Sequence, residues 1–379
     1  MKKKFNVCVA MGTRPEVIKL APVIKAFRKL PGIAVTVLVT AQHRGMMDEA
    51  LKVFRISPDH DLNVMRKGQS LFDVTSRILQ AMPGVLAKES IDLMVVQGDT
   101  ATTFACALSA YYQRIPVAHV EAGLRTSDKY RPFPEEINRR LTGVLADLHF
   151  PPTLQAQRDL LKEGVRPRDI LMTGNTSIDA LGMMSRLGKK FSDPRLRRLM
   201  ASSRKIVLVT LHRRESFGKG LRDVLLALRD ISLLSGVEVV YPVHMNPQVR
   251  AQVQDILAGG KVHLLEPLAY DEFVPLMKKA YLIVTDSGGI QEEACALKKP
   301  IIIAREKTER PEAIEAGFAE LVGFDRVRLV SSARRLLEDG VYYRQRCGHK
   351  NPFGDGRSSQ RIAAKCLQYL KQQKLRRGK

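Results

Sequence analysis

The sequence predicts an α/β protein of two domains, each built on a parallel β-sheet covered by helices. Short aliphatic runs alternate with amphipathic stretches along the whole chain, and 379 residues suit two domains of about 180 residues each. Continuous apolar strands separated by helical stretches are typical of parallel sheets that are buried on both faces.

The first half contains four aliphatic runs that predict strands. Each is followed by a loop and a helical pattern, and the runs read FNVCVAM, AVTVLVT, DLMVVQG and IPVAHVE. In the stretch EVIKLAPVIKAFRKL, Val17, Leu20 and Ile24 fall on one helical face. The pattern therefore predicts a helix directly after the first strand.

The second half repeats this alternation with five further predicted strands. They read RKIVLVTL, VEVVYPV, VHLLEP, YLIVTDS and KPIIIAR. A polar, basic stretch around 170–203 separates the two sets, so we expect one domain over residues 1–170 and a second over 171–356. Residues 357–372 predict a terminal helix, and we expect the segment 357–379 to cross back to the first domain.

Composition indicates a globular protein without a membrane anchor. Hydrophobic residues make up 45% and charged residues 27% of the chain, and no apolar run reaches the roughly 18 residues that a membrane helix needs. The start, MKKKF, continues into the first predicted strand and has no small-residue cleavage site. The five scattered cysteines include no C-x-x-C pair, which disfavours a zinc site. We expect a cytoplasmic protein without a metal.

A net charge of +23 raises the possibility of nucleic-acid binding. The excess is spread along the chain, with concentrations only at the two ends, and the sequence lacks tryptophan and any aromatic RNA-reading motif. Nucleic-acid binding is therefore disfavoured. Part of the excess would help to steer a small anionic substrate.

Polar residues follow the predicted strands, where open α/β sheets bind ligands. After the first strand, Gly12 permits a sharp turn, Pro15 suits the first turn of a helix, and Arg14 offers a planar donor group where phosphate is favoured. The alternative for Arg14 is a surface salt bridge. Because no G-x-G-x-x-G is present, we expect no bound nicotinamide dinucleotide.

Carboxylates follow the next strands. Asp99 and Glu121 end neighbouring strands and should face one crevice, although Asp99 also suits a helix cap. Further on, Pro134 should start a helix on which Glu135 and Arg139, four residues apart, share a face. The alternative for this pair is an exposed ion pair of little energetic weight.

The second half offers groups suited to a nucleotide. His212 follows a strand and could act as a donor or general acid. Ser287 with two glycines at a helix start exposes backbone N–H groups to a diphosphate. Glu293, about one turn further on, could accept the two hydroxyls of a ribose, and Arg310 follows another strand.

Eight motifs in order then carry a specific resemblance. They read MGTRPE, QGDTATT, HVEAGLRT, PFPEEINR, LHRRE, DSGGIQEEA, TERPE and NPFGDG. This series resembles the non-hydrolysing UDP-N-acetylglucosamine 2-epimerase family over nearly the whole chain. The resemblance implies two Rossmann-like domains of the GT-B, or glycogen phosphorylase-like, architecture, with the active site in the interdomain cleft. It also implies a homodimer, a UDP-sugar substrate and no cofactor.

The resemblance further implies roles for residues that match the family motifs. The implied catalytic residues are Lys19, Asp99, Glu121, Glu135 and His212. The implied substrate-binding residues are Arg14, Arg139, Arg213, Phe273, Ser287, Gly288, Gly289, Glu293 and Arg310. Within these sets it assigns the uracil to Phe273 and the ribose to Glu293, with Arg139 oriented by Glu135.

Other functions remain alternatives at this level. A hydrolysing epimerase would release N-acetylmannosamine and UDP, and a relative could act on another UDP-2-acetamido sugar. A glycosyltransferase shares the architecture but would need an acceptor surface, which the sequence does not reveal.

The chain departs from the family pattern at three positions. Ser216 stands where Asn is usual. Gly45 and Gly68 stand where many bacterial members carry polar side chains for a second, activating UDP-N-acetylglucosamine. They lie in two stretches, one that begins at Gln42 and one that begins at Lys67. Arg66 or Lys67 could substitute for the arginine that Gly68 replaces. We expect weak or absent activation of this kind.

Overall fold

The computed structural model describes residues 4–41, 44–66, 68–186, 191, 193–211 and 218–377. The chain divides into two compact units. The first consists of Met1–Gly182 and Gly354–Lys379, and the second of Met183–Phe353. In both units strands alternate with helices, and every strand pair is parallel.

The first unit is built on six strands. They are β1 (Phe5–Met11), β2 (Ile33–Val39), β3 (His60–Asp61), β4 (Leu93–Gln97), β5 (Val117–Val120) and β6 (Leu148–Phe150). Its helices are α1 (Arg14–Arg28), α2 (Arg44–Phe54), α3 (Leu71–Lys88), α4 (Ala101–Tyr112), α5 (Glu135–Leu145), α6 (Leu154–Lys162), a 3-10 turn (Pro167–Asp169), α7 (Thr176–Met184, which ends two residues beyond the unit boundary) and the terminal α16 (Ser358–Arg377).

The second unit also has six strands. They are β7 (Lys205–Thr210), β8 (Val237–Pro242), β9 (Val262–Leu265), β10 (Leu282–Thr285), β11 (Ile301–Ile303) and β12 (Ala319–Leu321). Its helices are α8 (Pro194–Ala201), α9 (Lys219–Ser232), α10 (Pro247–Leu257), α11 (Tyr270–Lys279), α12 (Gly288–Ala296), α13 (Pro311–Glu315), α14 (Arg326–Glu338) and α15 (Gly340–Cys347).

The two sheets have the same strand order. The first runs β3-β2-β1-β4-β5-β6 and the second runs β12-β11-β10-β7-β8-β9. With the strands of each unit numbered one to six along the chain, the first order reads 3-2-1-4-5-6, and the second reads the same from its β9 edge. The connections change direction between strands one and four, so the ends of those strands border the crevice where such folds bind ligands.

All nine predicted strands are present, and the predicted fold class is confirmed. Three edge strands, β3, β6 and β12, were missed, because each has only two or three residues and includes a charged or histidine side chain. Such runs are too short to develop an apolar pattern.

The central strands of both sheets are buried, and the helices bury one face each against them. The terminal helix α16 packs on α1 within the first unit. Within the described residues, none of the helices combines the length and apolar character that a membrane crossing requires.

Candidate active site

The loop after β1 is packed tightly around Gly12. A Cβ at this position would lie 2.1 Å from Thr102 Oγ1 and 2.3 Å from Thr40 Oγ1. The two threonine hydroxyls are themselves hydrogen-bonded at 2.7 Å. Only glycine therefore fits, and the start of α1 lies against the start of α4.

Glu16 stabilises the same loop through buried hydrogen bonds. Its buried carboxylate accepts hydrogen bonds from Gly12 N (3.0 Å), Thr13 Oγ1 (2.7 Å), Thr100 Oγ1 (2.9 Å) and Thr103 Oγ1 (3.2 Å). Burial raises the pKa of Glu16, and these hydrogen bonds oppose the shift. The first turn of α1 is thereby fixed relative to α4.

Arg14 is the first residue of α1 and lies half-buried. Among the contacts between described residues it has no hydrogen bond or ion pair. Pro15 follows it in the first helical turn, as the sequence predicts. A guanidinium at a helix N-terminus combines its own charge with the favourable end of the helix dipole, which suits a phosphate.

Glu121, directly after β5, is held by donors from three segments. Lys19 Nζ on α1 lies 2.6 Å from both carboxylate oxygens. The amide of Gln97, at the end of β4, donates to Oε2, and Asn175 Nδ2 donates to Oε1 at 3.0 Å. The backbone of Glu121 has φ +60°, a conformation that is strained for a residue other than glycine. Strain of this kind persists where surrounding contacts hold a side chain in a functional position.

Asp99, after β4, lies beside this cluster. Its carboxylate forms an ion pair with Arg139 of α5, and its backbone carbonyl accepts a hydrogen bond from Asn138 Nδ2 at 3.0 Å. Desolvation raises the pKa of Asp99 although 27% of the side chain is exposed. The charge of Glu121 raises it further, whereas Arg139 and Lys19 lower it. The carboxylate is thus partly accessible, and its pKa lies above the ordinary value for aspartate.

The alternative role of Asp99 as a helix cap is taken by its neighbour. Thr100 is the N-cap of α4 and accepts a hydrogen bond from Thr103 N at 3.1 Å. The Asp99 side chain points instead to Arg139.

Glu135 begins α5, directly after Pro134, and is half-buried. The next residue, Glu136, is fully buried and lies 3.4 Å from Arg139 Nη1 and 3.0 Å from Arg140 Nε. Arg139 is therefore bound between the carboxylates of Asp99 and Glu136. Sequence reasoning assigned the orientation of Arg139 to Glu135 and did not single out Glu136.

His119 supports the loop that carries Asp99. It is fully buried in β5, and its Nε2 lies 2.7 Å from the carbonyl oxygen of Gly98. Burial lowers the pKa of His119 to about 3, so the ring is neutral at neutral pH. Because a carbonyl only accepts, Nε2 carries the proton and donates it to Gly98.

In the second unit, the turn from β10 into α12 presents backbone donors. Ser287 is the N-cap, and its own N–H donates to Thr285 Oγ1 at 3.0 Å. The helix begins with Gly288 and Gly289. Among the described residues outside this helix, no atom lies within 4 Å of a Cβ built on Gly289. A phosphate could approach this helix N-terminus closely.

Glu293 lies further along α12 and is buried. Its Oε1 accepts a hydrogen bond of 2.9 Å from the Tyr270 hydroxyl on α11. Phe273 is buried on the same helix as Tyr270. A carboxylate and an aromatic ring thus lie on two helices, α12 and α11, that the Tyr270–Glu293 hydrogen bond joins.

Arg310 follows β11 and precedes α13. It forms an ion pair with the buried Glu292, and its Nη1 donates to the carbonyl oxygen of Glu309 at 3.0 Å. His212 and Arg213, predicted for the loop after β7, lie outside the described residues, as does Ser216.

The predicted site residues therefore follow the same strands in each unit. In the first unit they follow strands one, four and five (β1, β4 and β5), with α5 contributing the further pair Glu135 and Arg139. In the second unit they follow β7, β10 and β11, which are again strands one, four and five, with Phe273 on α11. In both units these residues follow the carboxyl ends of parallel strands, the edge at which open α/β sheets bind ligands.

Comparison with known proteins gives the family. A family model described as UDP-N-acetylglucosamine 2-epimerase matches residues 25–367. The chain belongs to this family. The UDP-N-acetylglucosamine 2-epimerase of Escherichia coli K12 is 49% identical over 367 residues, which cover 94% of this chain and 97% of that protein. The resemblance carried by the eight motifs is thereby confirmed.

Solved structures of the family are similar over nearly the full length. The UDP-GlcNAc 2-epimerase of Neisseria meningitidis, bound to UDP-GlcNAc, has a TM-score of 0.88 at 42% identity and covers 96% of this chain and 100% of that one. The enzyme of Methanocaldococcus jannaschii, in complex with UDP-GlcNAc and UDP, has a TM-score of 0.78 at 35% identity, with the same coverage.

Sequence reasoning missed several residues that the structure brings to the site. Gln97 and Asn175 bond to Glu121, and Glu136 bonds to Arg139. Gln97 ends a predicted strand, so the sequence could have indicated it as a site residue. Asn175 lies beyond residue 170, where we expected the second domain to begin. Among the described residues, no three side chains of metal-ligating type come together.

Proposed function

We propose that this protein interconverts UDP-N-acetylglucosamine and UDP-N-acetylmannosamine. The reaction does not release the free sugar by hydrolysis. One observation carries the proposal: the Glu121 carboxylate is fixed by Lys19 and two amides, beside Asp99 with its raised pKa. Two carboxylates in different environments suit a reaction that must move a proton at one carbon.

The chemistry explains why such a site is needed. The C2 proton of the substrate is not next to a carbonyl, so direct deprotonation is prohibitive. When the C1–O bond to UDP breaks, C1 gains oxocarbenium character and a base can remove the C2 proton, which leaves a C1–C2 double bond. The products of this step are UDP and 2-acetamidoglucal. UDP then bonds to C1 again, and a proton is added to C2 from the opposite face.

Inversion at C2 requires proton-transfer groups on both faces of the sugar ring. We assign this work to the carboxylates of Asp99, Glu121 and Glu135 in the first unit, with Lys19 as the charge partner of Glu121. The ion pair between Asp99 and Arg139 supports the assignment, because Arg139 orients the Asp99 carboxylate and opposes the rise in its pKa.

Departure of UDP requires stabilisation of its negative charge. The first turn of α12, with Ser287, Gly288 and Gly289, offers backbone donors for the diphosphate. We assign the ribose to Glu293, whose carboxylate is buried on α12, and the uracil to Phe273 on α11. Arg14, Arg310, His212 and Arg213 complete the proposed set of groups that bind the nucleotide.

The proposal includes a homodimer. Helices α4 and α5 pack against each other and expose large apolar side chains, among them Tyr111, Tyr112 and Val144. Such a surface is costly to leave in water and suits a second copy of the chain. Sedimentation velocity at micromolar concentration should give the mass of a dimer, and a monomer would refute this part.

We also propose a cytoplasmic location. All five cysteines are unpaired thiols, as is usual in a reducing compartment. Cell fractionation tests this directly, and recovery from a compartment outside the cytoplasm would contradict it.

Product analysis tests the proposed reaction. The purified protein, given UDP-N-acetylglucosamine and no added NAD, should produce UDP-N-acetylmannosamine, detected by mass spectrometry and NMR. Free N-acetylmannosamine with stoichiometric UDP would instead identify a hydrolysing epimerase. No turnover of this substrate, with turnover of another UDP-2-acetamido sugar, would change the substrate assignment.

A further inference from the structure

Asn175 joins Glu121 to a distant part of the chain. The two residues are 54 positions apart, and both side chains are buried. Asn175 Nδ2 donates to Glu121 Oε1 at 3.0 Å, and its Oδ1 accepts a hydrogen bond of 3.0 Å from Ser177 N. Because the Ser177 N–H needs an acceptor, the amide can only have its nitrogen toward Glu121.

Two amides contact Glu121 on different oxygens. Asn175 donates to Oε1, and Gln97 donates to Oε2. Lys19 lies at 2.6 Å from both oxygens, so its ammonium neutralises the carboxylate without favouring one rotation about the last side-chain bond. The two directional amide bonds supply the preference for one rotation that the lysine cannot.

The loop that carries Asn175 is held by the start of α16. Ser358 Oγ lies 2.9 Å from Thr173 O and 3.4 Å from Asn175 O, and Arg361 Nη1 donates to Thr173 O at 3.1 Å. A Cβ on Gly354 would lie 3.2 Å from the Cα of Gly174. The backbone on either side of Asn175 is therefore packed directly against residues 354–361.

Asp179 fixes α16 in this position. Its carboxylate accepts hydrogen bonds from Ser358 N at 3.1 Å, from Ser359 N at 2.8 Å and from Ser359 Oγ at 2.5 Å. All three residues are buried. A carboxylate that accepts N–H groups at a helix N-terminus is favoured both by the hydrogen bonds and by the helix dipole.

We propose that Asn175 is a positioning residue for the Glu121 carboxylate and that residues 354–361, at the start of the terminal helix, hold Asn175 in place. This inference rests on the proposed role of Glu121 in proton transfer. It gives the segment NPFGDG and the helix after it a part in the reaction, although none of their residues is assigned to contact substrate.

Asn175→Asp is the sharpest test, because it keeps the acceptor for Ser177 N and replaces the donor with a charged oxygen facing Glu121. We expect kcat to fall by about 10²-fold while KM changes little. The acidic limb of the kcat–pH profile should move to higher pH, because a second negative charge disfavours the ionised form of Glu121.

The matched control is Asn6→Asp. Asn6 stands at the start of β1, where its Nδ2 lies 3.5 Å from Glu89 Oε2 and its Oδ1 accepts from Thr36 Oγ1. The same substitution thus creates the same pair of carboxylates at the other end of the same sheet. It should lower the thermal midpoint and leave kcat and its pH profile unchanged.

A second pair of variants tests the role of the helix and does not depend on whether Asn175→Asp folds. Ser358→Ala and Asn175→Ala should each lower kcat, the latter by about tenfold, with UDP affinity retained. If the helix acts through Asn175, the double variant should be no slower than Asn175→Ala alone. Additive losses would overturn the link between the helix and the site.

A measurement without turnover separates this inference from the proposed function. The ¹³C signal of the Glu121 side-chain carboxyl, assigned by comparison with Glu121→Gln, should titrate at a pH higher by about one unit or more in Asn175→Asp and stay unchanged in Asn6→Asp. An unmoved signal in Asn175→Asp, or a kcat equal to that of the control, would overturn the positioning role. A wild-type protein inactive on UDP-N-acetylglucosamine would refute the proposed function, while the carboxyl signal would still decide the role of Asn175.

Discussion

The two units share one topology but differ in what their loops carry. After strands one, four and five, the first unit presents carboxylates bound to cations and amides, with Glu121 and Asp99 at the centre. At the corresponding strand ends, the described loops of the second unit present the helix N-terminus at Ser287 and the arginine at Arg310. The shared strand order therefore brings the loops after the same three strands together in each unit. The residues in those loops determine the chemistry that each proposed site can perform.

The difference extends to how tightly each site is packed. In the first unit a Cβ on Gly12 would overlap two threonine hydroxyls, whereas in the second unit a Cβ on Gly289 would meet no atom of the described residues outside its helix within 4 Å. A proton-transfer site gains from side chains that cannot move, since catalytic geometry must be held closely. A nucleotide site needs space for the phosphate to reach the backbone.

The largest expected effect is a crossed pattern between Glu121→Gln and Glu293→Gln. The first should lower kcat by about 10²- to 10⁴-fold, as for a general acid–base group, and leave UDP affinity unchanged. The second should weaken UDP binding about tenfold or more, because a bond to a charged group is lost. Turnover assays and calorimetry with UDP measure both quantities, and each variant is the control for the other. Equal losses of UDP affinity in the two variants would contradict the assignment of proton transfer to the first unit and of UDP binding to the second.

Asp99→Asn and Glu135→Gln test whether these two carboxylates of the first unit also serve proton transfer and not UDP binding. Each should lower kcat by at least about 10²-fold with little change in UDP affinity. Nearly wild-type turnover in either variant would remove that residue from the catalytic set.

The next effect concerns pH and compares Arg139→Gln with Arg140→Gln. Both arginines bond to Glu136, but only Arg139 is paired with Asp99. Arg139 lowers the pKa of Asp99, so removal of Arg139 should raise that pKa further. The limb of the pH–rate profile that reports the titration of Asp99 should therefore move to higher pH. We expect kcat at neutral pH to fall by about 10- to 100-fold in Arg139→Gln. Arg140→Gln should retain the wild-type profile, and an equal shift in both variants would assign the effect to Glu136.

A smaller effect compares two glycine substitutions. Gly12→Ala should destabilise the fold by about 1–3 kcal/mol, because the added methyl group overlaps Thr102 and Thr40. Gly289→Ala should leave the thermal midpoint unchanged and weaken UDP binding about 3- to 10-fold, because the methyl group disturbs a backbone–phosphate hydrogen bond. Thermal melts and calorimetry separate the two results. Unchanged UDP affinity in Gly289→Ala would remove this turn from the nucleotide site.

The smallest effect on the time course of turnover concerns activation by a second substrate molecule. Gly45 and Gly68 have no side chains to bind one. Two missing polar contacts would weaken such a site about 5- to 150-fold. Turnover of pure UDP-N-acetylmannosamine should therefore begin without a lag. A lag that trace UDP-N-acetylglucosamine abolishes would contradict this prediction.

Much of this account could be predicted from the sequence, because parallel sheets place the loops after their strands at one edge. That rule alone brings Gly12, Asp99 and Glu121 together, and it does so without knowledge of any contact. The bonds that orient these groups could not be predicted in the same way. Asn175 reaches Glu121 from 54 residues away, and the positive φ of Glu121 has no signature in its residue type. The ion pair of Arg139 with Glu136 follows a helical spacing of three residues, but its ion pair with Asp99, 40 residues away, depends on how α5 packs in the fold.

The origin of the C2 hydrogen tests the central claim most directly. The account predicts that UDP-N-acetylmannosamine formed from UDP-N-acetylglucosamine in deuterated water, without added NAD, carries deuterium at C2. Glu121→Gln should slow this incorporation in step with turnover, and NMR of the C2 position measures both. Product that retains the original C2 hydrogen would indicate an internal hydride transfer and contradict elimination of UDP with proton exchange at the carboxylates of the first unit.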